Sequence, residues 1–162
     1  MISITSREFH FLCLNPGAYP EVIDWKKRSR RNTAPFPENL YRYTVDMLLK
    51  YCAGFDFMTV PAPSFHDYNN YPIFEIAKLV ASDINIPLKI LFQEKSGKTK
   101  MGWQSSIGKV VQKIDCEPGK FVLVLDDIAT TRNTLRVTSR AIMDCHSFPC
   151  CVAISGNIYG AK

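Results

Sequence analysis

The stretch that most constrains the fold is Phe121 to Arg140, FVLVLDDIATTRNTLRVTSR. Phe121 to Leu125 is an unbroken apolar run, brought in by Pro118 and Gly119. Such a run predicts a strand covered on both faces and therefore parallel to its neighbours. Two adjacent acids, Asp126 and Asp127, end it. Thr130, Thr131, Asn133 and Thr134 then stand at the entrance of a segment with helical apolar spacing through Leu135, Val137, Ala141 and Ile142.

The first turn of a helix leaves backbone N–H groups unpaired and carries the positive end of the macrodipole, so an anion can be held there without a charged side chain. Hydroxyls add donors. Acids at the carboxyl end of a parallel strand sit where open α/β sheets bind ligands, and they can accept hydrogen bonds from vicinal hydroxyls or hold a hydrated Mg²⁺. A strand followed by an N-capped helix accounts for the threonines but not for the acid pair before them.

The rest of the chain has the pattern of an α/β protein. Residues 1–25 alternate loosely through Ile2, Ile4, Phe9, Phe11 and Leu12, which predicts a short strand or hairpin arm before a turn at Asn15-Pro16-Gly17. A helix is predicted over Glu38 to Ala53 with Gly54 as its stop, a strand over Phe55 to Val60, and a helix over Ile73 to Ile84. Leu88 to Phe92 reads as a second short strand, Gln93 to Gly108 as a basic loop, Thr134 to Asp144 as a helix and Cys150 to Ser155 as a last strand. With 162 residues, one core is expected rather than two domains.

The run Asp126-Asp127-Ile128-Ala129-Thr130-Thr131-Arg132-Asn133-Thr134-Leu135 resembles the signature of the type I phosphoribosyltransferases. Asp56 with Pro61-Ala62-Pro63 resembles the strand and loop of their ComF-like branch. The resemblance implies a single-domain α/β fold, a phosphoribosyltransferase-like parallel sheet with helices on both faces. Residues 38–162 would form its core, and residues 1–37 a small N-terminal hood or appendage on the same domain. It also implies transfer of a phosphoribosyl group from phosphoribosyl pyrophosphate to a nucleobase-type acceptor, with Mg²⁺ as cofactor and pyrophosphate released.

Carried over residue by residue, Asp126 and Asp127 would take the ribose hydroxyls and the metal, and Thr130, Thr131, Arg132, Asn133 and Thr134 the 5′-phosphate. Ala62, Pro63 and Ser64 would approach the pyrophosphate. Lys98 and Lys100 would lie on the mobile catalytic loop, and Tyr159 would stack on the base. The chain departs from the pattern where the family usually has Gly and this sequence has Arg132. It departs again where the ComF-like branch is Arg-rich, since Phe65 to Tyr71 holds no Arg or Lys. These departures keep a second reading open: a catalytically weak or inactive regulatory member that binds a nucleotide, single-stranded nucleic acid or a protein partner.

Net charge of +5 and a pI near 8.9 favour an anionic ligand without choosing between a sugar phosphate and nucleic acid. The cluster Lys26, Lys27, Arg28, Arg30 and Arg31 is either a solvated surface or a set of nucleic-acid backbone contacts. No apolar run approaches the roughly 20 residues of a membrane span, and Arg7, Glu8 and His10 interrupt any leader-like start, so a cytoplasmic protein is expected. A homodimer is compatible with all of this. The six cysteines form no C-x-x-C pair and read as buried, reduced thiols. A zinc site from Cys145, His146, Cys150 and Cys151 is the alternative, disfavoured because adjacent strand residues point to opposite faces.

Overall fold

The computed structural model describes residues 1–5, 9–29, 34–51, 53–61, 72–94, 111–113, 117–129, 133–142 and 144–155. In chain order its elements are β1 (Ile2–Thr5), β2 (His10–Cys13), α1 (Tyr19–Ser29), α2 (Glu38–Tyr51), β3 (Phe57–Thr59), α3 (Pro72–Asp83), β4 (Phe92–Glu94), β5 (Val111–Lys113), β6 (Phe121–Ala129), α4 (Asn133–Ala141) and β7 (His146–Ile154). The main sheet has the order β1-β2-β7-β6-β3. β3, β6, β7 and β2 run parallel, and β1 closes one edge antiparallel to β2, so the sheet is mixed rather than wholly parallel.

Alternation along β6 divides the core in two. Leu123 and Leu125 face a cluster completed by Val22 and Trp25 of α1, Leu40 and Leu48 of α2, and Ile73, Ile76 and Val80 of α3. Val122 and Val124 face the other side, with Phe11, Phe57, Leu135 and Ile154. Helices therefore cover both faces, as a strand apolar on both sides requires. Each fully buried Leu, Ile or Val contributes roughly 1.5–3 kcal/mol, so the two clusters supply most of the drive to fold. Tyr41 donates to Asp83 at 2.6 Å and ties α2 to α3. Gly54, at φ 93°, makes the reversal after α2 that a residue with Cβ would resist.

Several boundaries differ from those expected. The strand that was to end at Leu125 runs on through both acids to Ala129, because β7 offers partners as far as Ile154. β7 begins at His146 and contains Pro149, tolerated because β2 joins only at Cys150 and the strand has a single neighbour at the proline. Leu88 to Phe92 is no full strand. Leu88 makes one parallel bridge to Met58, Ile90 is exposed, and from Phe92 the chain pairs antiparallel with β5. The basic stretch after Ile23 is the end of α1, a helix that the loose alternation upstream does not announce.

The segment before residue 38 contributes β1, β2 and α1, and β2 is bonded directly to β7. Cys13, Cys150 and Cys151 are buried, with Cys150 in one core cluster and Cys151 in the other, so the zinc alternative lacks a common face. Cys145 is disulfide-bonded rather than free. A tight turn after α4, closed by Cys145 N–H to Ile142 O at 2.9 Å and Gly119 N–H to Asp144 O at 2.8 Å, brings it beside a turn distant in sequence. No helix among the described residues is long and apolar enough to cross a membrane.

Phe11 is 1% exposed and belongs to β2, so Phe11→Ala is expected to lower stability by about 3–5 kcal/mol. Urea unfolding followed by tryptophan fluorescence and by far-ultraviolet circular dichroism should show one coincident transition. An early, separate transition would mean that the N-terminal strand is not continuous with the core.

Candidate functional site

Asp126 and Asp127 lie in the carboxyl-terminal half of β6 and are 4% and 1% exposed. Strand alternation sets Leu123 and Leu125 against α1 and Val122 and Val124 against α4, but it does not separate the acids: a side-chain hydrogen bond joins Asp126 to Asp127, and Lys26 acts on both. The N–H groups of Asp127 and Ile128 donate to the carboxylate of the preceding residue, at 2.9 and 2.6 Å. There the alternation breaks, since Ile128 packs with the cluster of Leu123 and Leu125.

The main feature missed in the sequence is the partner of Asp127. Lys26 Nζ donates to Asp127 Oδ1 at 2.8 Å and lies 2.7 Å from Oδ2. The second contact lacks hydrogen-bond geometry, so Oδ2 is held by charge alone. α1 delivers this lysine because Val22, Trp25 and Lys26 fall at i, i+3 and i+4 and share one helix face. Val22 and Trp25 are buried, and the Lys26 side chain keeps 25% exposure. The helix is fixed in turn by Trp25 Nε1 donating to Ala34 O at 3.1 Å and by an edge-on contact of Trp25 with Phe36. A lysine on the apolar face of a helix is the signal that could have revealed the pair.

Of the rest of the basic cluster, Arg28 pairs with Asp24 on the surface, Lys27 is exposed, and Arg30 and Arg31 lie outside the described residues. The run is thus not one continuous basic face.

Among the described residues no ion pair is made by Asp126 itself. Burial, with the neighbouring charge of Asp127 adding to it, pushes its carboxyl up to about 7, against the weaker opposing pull of Lys26. It stands in register with Cys151, which stands in register with Cys13, so one row crosses three strands beneath α4. Burial keeps Cys151 well above the ordinary thiol range, while its hydrogen bond with Cys13 lowers that of Cys13. At the opposite end of β6, Asp56 accepts from Phe121 N–H at 2.8 Å and holds β3 to β6 in register. That bond, more than the nearby Lys120, lowers the Asp56 carboxyl.

Asn133 opens α4, and Thr134, half-buried in its first turn, offers its carbonyl to Thr138 Oγ1 at 2.8 Å. Thr130, Thr131, Arg132, Ala62, Pro63, Ser64, Lys98, Lys100 and Tyr159 lie outside the described residues. Their neighbours are described: β6 ends at Ala129 just before the threonines, Pro61 is buried after β3, and β4 with β5 forms the ribbon that residues 95–110 connect.

A Mg²⁺ shared by Asp126 and Asp127 does not fit these side chains. A hard cation needs converging, ionised oxygens. Here the two carboxyl groups touch each other, one is paired with Lys26 and the other is driven toward its protonated form. Among the described residues no three His, Cys, Asp or Glu side chains converge as a metal site requires.

No protein-family model and no curated protein matches the chain. Among solved structures, an adenine phosphoribosyltransferase aligns with a TM-score of 0.50 and 12% identity over 76% of this chain and 75% of that one. The adenine phosphoribosyltransferase of Saccharomyces cerevisiae, in complex with an imino-altritol bisphosphate and adenine, aligns at 0.49 with 14% identity over 76% and 73%. A hypoxanthine phosphoribosyltransferase from Staphylococcus aureus aligns at 0.46 with 19% identity over 76% and 66%. The first likeness establishes a phosphoribosyltransferase-like fold. Kinship with the ComF-like branch rests on the sequence motif alone.

Two outcomes follow from the acids. Lys26→Met is expected to cost about 1–3 kcal/mol at neutral pH, less than for a fully buried pair because Lys26 is partly solvated. Adding Asp127→Asn should restore much of it, which a urea double-mutant cycle measures. For Asp126 the folded-state value, about 7, lies above the reference 3.8, so the folded state binds more protons between them and this group weakens the fold as pH rises through that window. The stability advantage of Asp126→Asn over the parent should therefore grow from pH 4 to pH 7, as urea midpoints across that range will show.

Proposed function

We propose that this chain is a phosphoribosyltransferase-type protein that binds phosphoribosyl pyrophosphate at the carboxyl end of β6. The observation that carries the reading is a buried acid pair near the carboxyl end of β6, which ends at Ala129 shortly before α4 begins at Asn133, within a sheet of this fold. Asp126 and Asp127 orient the ribose hydroxyls, Asp127 acting with the Lys26 ammonium that covers it. Thr130, Thr131, Arg132, Asn133 and Thr134 take the 5′-phosphate, where unpaired helix N–H groups suit an anion. Ala62, Pro63 and Ser64, after β3, meet the pyrophosphate.

In transfer, a nitrogen of the nucleobase-type acceptor forms a bond to the anomeric carbon as the bond from that carbon to the pyrophosphate oxygen breaks. Pyrophosphate leaves with the electron pair, and positive charge grows on the sugar ring. The protein contributes by fixing the sugar and the acceptor in line, and by placing donors where charge collects on the leaving group. Lys98 and Lys100, in the segment between β4 and β5, serve the leaving group. Arg132 supplies a planar donor fork to the 5′-phosphate where a glycine would supply only backbone.

The coverage of Asp127 by Lys26 favours a second reading: a regulatory protein that binds a phosphoribosyl ligand without turnover.

Isothermal titration with phosphoribosyl pyrophosphate, followed by a pyrophosphate-release assay over purine and pyrimidine bases, separates these readings. Binding should weaken by at least about 100-fold in the Asp126→Asn/Asp127→Asn variant, the weight of two charge-assisted hydrogen bonds. Unchanged affinity in that folded variant would reject the site. Binding without pyrophosphate release from any base would select the regulatory reading.

A further inference from the structure

Lys26 comes from the N-terminal helix, far in sequence from the acid motif, yet it is the side chain in contact with Asp127. Three facts make that contact more than a surface ion pair. Its carboxylate is 1% exposed, so the pair is shielded from water on the acid side. The helix carrying it is anchored by buried Trp25 and Val22 on the same face, so the ammonium is aimed rather than free to wander. The lysine side chain retains 25% exposure, so it is not sealed in the interior as the acid is.

An ammonium has three donors, and the two oxygens of Asp127 engage no more than two. The remaining donor capacity is not taken up by that acid. Lys26 therefore turns a carboxylate, which could only accept from hydroxyls or bind a cation, into a charge-neutral pair that also offers N–H donors. An ammonium held in this way supplies part of what a divalent ion would: it cancels the charge of Asp127 and gives donors to ligand oxygens. It also occupies the place a metal would need on that carboxylate, and the neighbouring Asp126 carboxyl is hydrogen-bonded to Asp127 and pushed toward its protonated form, which makes it a poor second ligand.

We propose that Lys26 is the resident cation of this site, seated on Asp127 in place of a divalent metal, so that the protein binds its phosphorylated sugar without Mg²⁺. The inference rests on the phosphoribosyl reading above and adds to it the origin of the charge. Lys26 is a binding residue on this account, contributed by the segment before residue 38, and the ligand class it selects is an anionic sugar phosphate in its metal-free form.

The test is titration of the full chain with phosphoribosyl pyrophosphate in EDTA and in millimolar Mg²⁺, using the parent, Lys26→Met and Lys26→Arg, each first checked for folding by circular dichroism. The parent should bind in EDTA with an affinity within about three-fold of that in Mg²⁺, a difference worth little on the affinity scale. Lys26→Met should lose at least about ten-fold in EDTA, the effect of one charge-assisted hydrogen bond, while Lys26→Arg should stay within about three-fold of the parent. Parent binding that requires Mg²⁺ would overturn the inference and leave the phosphoribosyl reading intact. So would a folded Lys26→Met that binds in EDTA as the parent does. No binding by the parent under either condition would overturn the phosphoribosyl reading itself, and this inference with it. If Lys26→Met does not fold, the parent and Lys26→Arg titrations decide the matter alone.

Discussion

Eight consecutive buried residues in β6, Val122 to Ala129, oblige the chain to cover that strand from both sides. One cover is made by α1, α2 and α3, the other by α4 and the hairpin strands. The same burial carries Asp126 and Asp127 into the interior, because β7 supplies hydrogen-bond partners to the end of the strand. Depth is thus imposed on two groups that solvent would otherwise stabilise, and each must be compensated within the protein.

The two sides answer differently. Toward α1, the compensation is an ion pair with Lys26, made possible by a helix whose buried face ends in a lysine. Asp126, on which Lys26 has the weaker pull, answers burial by holding its proton more tightly, in register with a row of thiols that are themselves buried. One acid is therefore ion-paired and the other is about half protonated near pH 7. A motif that looks symmetrical in sequence is asymmetrical in chemistry, and the asymmetry comes from where α1 seats Lys26.

This division also explains why the N-terminal segment belongs in any account of the site. α1 contributes Val22 and Trp25 to the core and Lys26 to Asp127, while β2 extends the sheet from β7. Core packing and the ion pair share one helix there, so changes in the seating of Trp25 would reach the acid through the Lys26 to Asp127 contacts of 2.7 and 2.8 Å.

Much of the architecture was legible along the chain. The apolar run at Phe121 to Leu125, the helical spacing after Asn133, and the helices over Glu38 to Tyr51 and Pro72 to Asp83 are local patterns, set by periods of two and 3.6 residues that need no knowledge of neighbours. The hairpin arm at the start was legible for the same reason. Two adjacent charges read as the end of a strand, because an isolated strand would expose them there. The basic run read as surface, because most such runs are. What the tertiary structure decided was pairing: that β7 extends far enough to bury both acids, that Leu88 finds only one partner on Met58, and that α1 lies across β6 with Lys26 over Asp127. Local spacing specifies which face of an element is apolar. Which two faces meet, and hence which charge is neutralised by which, depends on contacts between residues a hundred positions apart, and only the packed sheet brings those together.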